Sequence, residues 1–263
     1  MDVEGNLEFD DETSRVVEEF NRSRGAMERR RRIVAALALQ PGEAILDVGS
    51  GPGNQVFEMS SIVGPGGRVQ GIDPAESAIA IASRRCSGLS NVHFELGDVA
   101  QLPFDDGTFD AVMSSQVFEY LQNVKVGLKE IYRVLRPGGR VLIHDTDWGA
   151  WLWRSSDPQR MARVMEVWDK HLADPHLPQT LAPRLRDAGF SDIKVEPIIQ
   201  IETEYDPGSV SGILINFIVG YVESQGMSAS ETSAWKEDLE ELGAAGDYFF
   251  SSTEYVFLGR KSD

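Results

Sequence analysis

Residues 45–54, ILDVGSGPGN, decide the fold. The apolar run Ala44–Val48 predicts a buried strand, and three glycines at alternate positions follow it directly. Glycine permits a sharp turn there and lets a ligand approach the backbone without meeting a Cβ. The pattern from Gln55 to Val63 then predicts a helix. This order of strand, glycine turn and helix predicts the first unit of a parallel sheet with a ligand-binding site at its edge.

Outward from this turn, short apolar runs alternate with helical patterns. Further strands are predicted over residues 68–72, 92–96, 109–114, 140–144, 193–201 and 248–258, and core helices over 75–85 and 124–135. Strands that alternate with helices form parallel sheets covered on both faces. We therefore predict an α/β class fold, a Rossmann-like seven-stranded, mostly parallel sheet with helices on both faces.

Helical patterns also flank this core. They cover residues 13–39, 158–172, 181–188, 209–223 and 229–242. Because no repeat or low-complexity linker divides the chain, residues 1–263 are predicted to form a single domain. Within it we expect an N-terminal helical lid (1–40), a cofactor-binding core (41–145) and a cap of helices and final strands on the substrate side (146–263).

The charge balance restricts the partners. Lys and Arg number 25 against 42 Asp and Glu, a formal net charge of −17, and a field of that sign repels polyphosphates. Four successive arginines, Arg29–Arg32, spread around a helix and predict a solvated surface rather than an anion site. These features predict a small-molecule substrate and no nucleic-acid partner.

Other features point to a cytoplasmic protein. No apolar run is long enough to cross a bilayer, so no stable membrane insertion is expected, and the first twelve residues are acidic where a signal peptide is basic. The single cysteine, Cys86, cannot form an internal disulfide or a thiolate metal site. It is predicted to be a small buried apolar residue in a helix.

Carboxylates follow two of the predicted strands. Asp73 ends the second strand about twenty residues beyond the glycine turn, where a carboxylate can accept hydrogen bonds from both ribose hydroxyls. Asp98 follows the third strand, where it can accept a hydrogen bond from an adenine amino group. A phosphate-bearing dinucleotide calls for Lys or Arg, whereas the sequence supplies Asp at these positions.

Four motifs together carry a family resemblance. ILDVGSGPGN, GIDP, GDVAQLPFDDGTFDAV and LRPGGRVLI occur in order over about residues 30–145. They resemble class I S-adenosylmethionine-dependent methyltransferases, most closely the small-molecule branch that includes the ubiquinone and menaquinone C-methyltransferases. The resemblance implies S-adenosyl-L-methionine as cofactor, methyl transfer to a small molecule, and a monomer or homodimer.

The resemblance also implies cofactor-binding positions. Asp47 would place the ammonium group, Asp73 the ribose hydroxyls and Asp98 the adenine amino group. Val99 would present its backbone N–H to the adenine ring. The full set is Asp47, Gly49, Gly51, Asp73, Pro74, Asp98, Val99, Ser115 and Gln116.

The acceptor side is predicted at the carboxyl ends of the strands. His144 leaves the fifth strand there, so it is the candidate catalytic residue, facing the substrate or acting as base. Further candidates for substrate contact are Glu119, Trp148, His171 and His176. The clustered tryptophans 148, 151 and 153 either wall an apolar pocket or pack the cap onto the core. No metal site is predicted, because neighbours on an extended chain such as 144, 145 and 147 point to opposite faces.

Two other functions are compatible with parts of the sequence. An NAD(P)-dependent oxidoreductase would share the glycine turn, but Gly97-Asp98-Val99 after the third strand and the lack of a Tyr-x-x-x-Lys pair disfavour it. A non-catalytic S-adenosylmethionine-binding protein is the other alternative. The leading prediction is methyl transfer to the carbon, oxygen or nitrogen of a small hydrophobic or aromatic acceptor by in-line displacement.

Overall fold

The structure is a computed structural model that describes residues 21–262. Its strands are β1 (Ala44–Val48), β2 (Arg68–Asp73), β3 (Val92–Leu96), β4 (Phe109–Ser115), β5 (Leu135–Thr146), β6 (Leu152–Trp153), β7 (Phe190–Glu202) and β8 (Phe250–Lys261). Its α-helices are α1 (Arg24–Ala36), α2 (Asn54–Val63), α3 (Glu76–Arg85), α4 (Val124–Val134), α5 (Pro158–Trp168), α6 (Pro178–Asp187), α7 (Val210–Ser224) and α8 (Ala229–Ala244).

All the strands belong to one sheet. Its order is β3-β2-β1-β4-β5-β8-β7, and the two-residue strand β6 also pairs with β8. Strands β1 to β5 run parallel, whereas β8 lies antiparallel to both β5 and β7. The predicted Rossmann-like, mostly parallel sheet is thereby confirmed, and β6 is an eighth strand within residues 21–262, beyond the seven predicted. Strand order reverses between β1 and β4, and crevices at such switch points are where open α/β sheets bind ligands.

Sequence explains the main elements. β1 is buried along its whole length, as expected for a central strand covered by helices on both faces. Helix α1 begins at Ser23, whose hydroxyl accepts a hydrogen bond from the Ala26 N–H, and α5 begins at Asp157 with a proline in its first turn. Such N-caps satisfy backbone donors that have no partner within the helix.

Helices cover both faces of the sheet. One face packs against α4 and α6 through residues such as Leu128 and Leu185, and the other packs against α1 and α2 through residues such as Ile33 and Met59. Cys86 is buried on this second face, as predicted, but it lies just past the end of α3 rather than within a helix. A third apolar cluster joins the 3₁₀ turn at residues 148–150 to α5, α7 and α8, and it lies over the carboxyl ends of the strands.

Several strand ends differ from the prediction: β5 begins at Leu135 rather than Arg140, and β7 begins at Phe190 rather than Ile193. Strand β5 continues to Thr146 rather than ending at His144, because β8 pairs with it as far as Glu254. The predicted N-terminal helical lid lies partly outside the described residues, which include only its end, α1. None of the helices described between residues 21 and 262 is long and apolar enough to cross a bilayer.

The packing predicts unequal costs for the same substitution at two strand positions. Ile143→Ala on β5 removes a fully buried side chain and should lower the free energy of unfolding by about 2–5 kcal/mol. Ile199→Ala on β7, where the side chain is 54% exposed, should change it by less than about 0.5 kcal/mol. Urea denaturation of both variants measures the difference, and equal losses would contradict this assignment of the core.

Candidate functional site

The glycine turn after β1 has the geometry that its sequence requires. Gly49, Gly51 and Gly53 have φ values of +70°, +50° and +78°, a region that favours glycine. A Cβ on Gly49 would lie 2.2 Å from the side chain of Val117, so the turn packs tightly there. A Cβ on Gly51 would meet no atom within 4 Å among the described residues. The turn therefore leaves open space above its centre.

Asp73 ties this turn to the end of β2. Its carboxylate accepts hydrogen bonds from the Gly51 N–H at 2.8 Å and from the Ala75 N–H at 2.9 Å. Burial raises the pKa of Asp73, and these two backbone hydrogen bonds oppose that rise. Each carboxylate oxygen keeps a second lone-pair direction, so Asp73 can accept further hydrogen bonds from a ligand.

Three buried polar atoms around the turn lack hydrogen-bond partners within residues 21–262. They are Asp47 Oδ2, Ser50 Oγ and Asn54 Nδ2. Burial raises the pKa of Asp47 well above its usual value, and the negative charge of Asp73 raises it further. Buried polar atoms are nearly always satisfied in folded proteins. An acceptor at Asp47 and a donor at Asn54 therefore suit a ligand that has both a cationic donor and an acceptor.

A cavity of about 390 Å³ runs from the glycine turn to the cap. Its wall brings together many of the residues predicted from the sequence: Gly49, Gly51, Asp73, Pro74, Ser115, Gln116, Trp148 and His171. Gln116 lies beside the turn in a left-handed conformation, with φ of +59°, which is uncommon for a residue with a side chain. One continuous space thus joins the predicted cofactor positions to predicted acceptor positions.

Aromatic rings form the cap end of this cavity. Trp148, Trp151, Trp168 and Phe217 line it. The ring centroids of Trp148 and Trp151 lie 4.3 Å apart, and those of Trp148 and Trp168 lie 5.6 Å apart. Trp153 instead packs against Phe250 within the cap cluster and does not line the cavity. Of the three clustered tryptophans, Trp148 and Trp151 therefore wall the apolar pocket, whereas Trp153 packs within the cap.

Glu119 holds Trp148 in place from behind the wall. Its fully buried carboxylate accepts hydrogen bonds from the Trp148 indole N–H and the Thr146 backbone N–H, both at 3.1 Å. Burial raises the pKa of Glu119 to about 8. Glu119 does not line the cavity, so its place in the structure is beneath a wall residue rather than facing the space.

His171 lies among the aromatic rings at the cap end. Its ring centroid is 4.0 Å from that of Trp168 and 5.2 Å from that of Trp148. Nδ1 bonds to the carbonyl oxygen of Trp168, and Nε2 has no partner among the described residues. Burial lowers the pKa of His171 to about 4, so the ring is neutral at neutral pH. Since a carbonyl only accepts, Nδ1 carries the proton and Nε2 carries a lone pair.

His144 lies behind the cavity wall and connects polar groups that line it. Its Nδ1 lies 2.9 Å from Ser115 Oγ, and its Nε2 lies 2.8 Å from Glu254 Oε2. The other oxygen of Glu254 accepts a hydrogen bond from Arg29 at 2.9 Å. The His144 side chain is fully buried and does not line the cavity, whereas Ser115, Glu254 and Arg29 do.

Burial and ion pairing set the charges of these connected polar groups. Burial opposes ionisation of Glu254, but the charge of Arg29 and the contacts with His144 outweigh it and lower its pKa to about 2. Burial also lowers the pKa of His144, although Glu254 partly offsets the effect. At neutral pH the neutral imidazole of His144 therefore lies beside the ion pair of Glu254 and Arg29.

Other predicted residues lie away from the cavity wall. Asp98 is exposed, and its side chain accepts a hydrogen bond from the Ala100 N–H, while Val99 is buried in the sheet core. His176 is half exposed and lies 3.1 Å from Asp147. Asp47 lies under the glycine turn at the end of β1. Within the described part of the chain, no cluster of His, Cys, Asp and Glu could hold a metal ion.

Sequence reasoning missed two residues of the site, Arg29 and Glu254. The prediction that Arg29–Arg32 is a solvated surface was wrong for Arg29 and Arg30, which form partly buried ion pairs with Glu254 and Glu58. Helix α1 packs against the sheet, so two of the four successive arginines face protein. Glu254 left a signal in the sequence, because it is a charged residue at an inward position of the alternating strand β8.

Comparisons with known proteins agree with this geometry. A family model described as a methyltransferase domain matches residues 39–189. Demethylmenaquinone methyltransferase of Staphylococcus aureus is 35% identical over 117 residues, which are 44% of this chain and 48% of that protein. An uncharacterized 37.1 kDa protein in transposon TN4556 of Streptomyces fradiae is 33% identical over 227 residues, 86% of this chain and 64% of that protein. The chain thus spans about half to two-thirds of the length of these relatives.

A solved structure shares the architecture. Phosphoethanolamine N-methyltransferase 2 of Haemonchus contortus, in complex with S-adenosyl-L-methionine, superposes with a TM-score of 0.64. The match covers 97% of this chain and 58% of that chain, at 20% sequence identity. At this identity the similarity establishes the fold.

Proposed function

This chain belongs to the class I S-adenosylmethionine-dependent methyltransferases, and on that basis we propose that it transfers the methyl group of S-adenosyl-L-methionine to a small apolar or aromatic acceptor. One observation supports the proposal above all. A single cavity extends from the glycine turn and Asp73 to a wall of tryptophan and phenylalanine rings. A cofactor at one end would place its methyl group toward an acceptor at the other.

The residues at the first end suit this cofactor. S-adenosylmethionine carries an ammonium group, a carboxylate, two ribose hydroxyls and a cationic sulfonium. We assign the ribose hydroxyls to Asp73 and the ammonium group to Asp47, whose Oδ2 has no partner in residues 21–262. Asn54 Nδ2, an unpartnered donor in the same described range, suits the carboxylate. Asp98 and Val99 remain predictions for the adenine ring.

The second end suits an acceptor that buries apolar surface. Trp148, Trp151, Trp168 and Phe217 offer aromatic faces, and the neutral ring of His171 adds a polar atom among them. Methyl transfer needs alignment of the nucleophile with the methyl carbon and exclusion of water more than it needs strong acid or base chemistry. The bound cofactor supplies an activated methyl group, and the chain supplies the enclosure. We further propose that residues 41–145 bind the cofactor and residues 146–263 form the acceptor roof.

Asp73→Ala should weaken the binding of S-adenosylhomocysteine by about 1–3 kcal/mol, because a charged acceptor of hydrogen bonds is lost. Isothermal titration calorimetry measures the change. Asp187→Ala, at an exposed position at the end of α6, is the control and should bind as the wild type does. Unchanged affinity in Asp73→Ala, or tight NAD(P) binding without binding of S-adenosylhomocysteine, would contradict the proposal.

Gly51→Ala should fold and lose ligand affinity. A side chain in the left-handed conformation costs about 1–2 kcal/mol of stability, and a Cβ at this position would enter the space that we assign to the cofactor. Gly107→Ala is a matched control, since Gly107 has φ of +64° and lies outside the cavity wall. Both variants should lose similar stability in thermal melts, but only Gly51→Ala should bind S-adenosylhomocysteine more than about tenfold more weakly.

Binding should release protons. The pKa of Asp47 is raised in the free protein, so its carboxyl holds a proton to higher pH than usual, and an ammonium group beside it favours the ionised form. Affinity for S-adenosylhomocysteine should therefore rise with pH through the titration of Asp47 and level off above it. Calorimetry in buffers of different ionisation enthalpy measures the released protons. Asp47→Asn should abolish the release, and an unchanged release in that variant would exclude Asp47.

A further inference from the structure

We propose that Ser115, His144 and Glu254 form a proton relay, and that the acceptor is therefore a hydroxylated aromatic compound methylated on oxygen. This inference rests on the proposed methyltransferase function and narrows its acceptor class. Ser115 lines the cavity, His144 lies directly behind it, and Glu254 supports the far side of the imidazole ring. The three side chains come from neighbouring strands, β4, β5 and β8.

The direction of each hydrogen bond follows from the charges. Glu254 is an ionised carboxylate that only accepts, so His144 Nε2 must carry a proton and donate it. Because the ring is neutral, Nδ1 then carries a lone pair and accepts from the Ser115 hydroxyl. The oxygen of Ser115 consequently has its lone pairs available for a hydroxyl group in the cavity.

Burial and the charge of Arg29 lower the pKa of His144, whereas its hydrogen bond to Glu254 and the charge of that carboxylate raise it. Arg29 from α1 pairs with Glu254, and Glu119 beneath the wall has its pKa raised to about 8, so it is mostly protonated at neutral pH. Glu254 remains in contact with the ring in either state, so it can stabilise an imidazolium as it forms. His171, the described histidine on the cavity wall, has no such support. His171 has only a carbonyl oxygen at Nδ1, which suits it to orient an acceptor rather than to keep a proton.

In the proposed step one C–O bond forms, one C–S bond breaks and one proton moves to His144. The hydroxyl oxygen of the acceptor attacks the methyl carbon and forms a C–O bond as the C–S bond breaks, and the electron pair of that bond stays on sulfur. The proton of the acceptor passes to Ser115 Oγ while the Ser115 proton passes to His144 Nδ1. The products are the methyl ether, S-adenosylhomocysteine and a protonated His144, whose proton later returns to solvent. Ser115 touches the acceptor, and His144 and Glu254 act through it as positioning residues.

The test uses 4-nitrophenol, whose phenolate absorbs visible light and whose neutral form does not. The probe is titrated into the protein saturated with S-adenosylhomocysteine, at a pH below the pKa of the free phenol. The wild type should increase the phenolate fraction of the bound probe. Ser115→Ala and His144→Gln should each lower the ratio of phenolate to phenol by about tenfold relative to the wild type.

Matched controls remove a hydroxyl and an imidazole elsewhere. Ser114→Ala changes the residue just before Ser115 on β4, and Ser114 Oγ has no hydrogen-bond partner within the described chain. His93→Gln changes an exposed ring on β3. Both should behave as the wild type does. Circular dichroism checks folding, and if His144→Gln fails to fold, Ser115→Ala decides alone, because it removes only one hydroxyl at a partly exposed position.

The outcomes separate the relay from the function on which it rests. Equal phenolate fractions in the wild type and Ser115→Ala would overturn the relay. A wild type that binds S-adenosylhomocysteine but not the probe would overturn the hydroxylated aromatic acceptor. A wild type that takes up no S-adenosylhomocysteine would instead overturn the proposed function itself.

Discussion

The carboxylate of Asp73 is the interaction on which the site depends. By accepting from the N–H groups of Gly51 and Ala75, it fastens the turn after β1 to the end of β2. The turn follows a strand that is buried along its whole length, and it packs tightly against Val117 at Gly49. The open space above Gly51 is therefore a fixed feature of the fold rather than a gap in a loose loop.

Burial of acidic groups sets the chemistry of the cavity. Asp47, Asp73, Glu119, Asp145 and Glu254 are buried near the carboxyl ends of the strands. Removing carboxylates from water is costly unless a cation or hydrogen-bond donors compensate. Arg29 compensates Glu254, but Asp47 keeps an oxygen without a partner in the described range. A cationic ligand would complete this arrangement, which fits both the net charge of −17 and the family of the chain.

Local sequence patterns predicted the elements whose conformation depends mainly on residues close to them in the chain. The strands of the parallel core, the glycine turn and the position of Asp73 follow from periodicity and from the conformational freedom of glycine. Contacts between distant residues could not be predicted in this way. Arg29 and Glu254 are separated by 225 positions, and nothing near either residue in the sequence indicates its partner.

The histidines and tryptophans illustrate the same limit. A pattern places His144 at the end of a strand, but the pairing of β5 with β8 buries its ring behind Ser115. Trp151 and Trp153 are two residues apart, yet Trp151 lines the cavity and Trp153 packs into the cap. The direction of a side chain depends on which elements pack against it, and this information lies outside the local sequence.

A crystal structure of the protein with bound S-adenosylhomocysteine tests the central claim most directly. Our account predicts that the ribose hydroxyls lie within hydrogen-bonding distance of the Asp73 carboxylate, the amino group lies near Asp47, and the sulfur faces Ser115 and the tryptophan wall. A ligand bound outside this cavity, or one whose ribose makes no contact with Asp73, would contradict it.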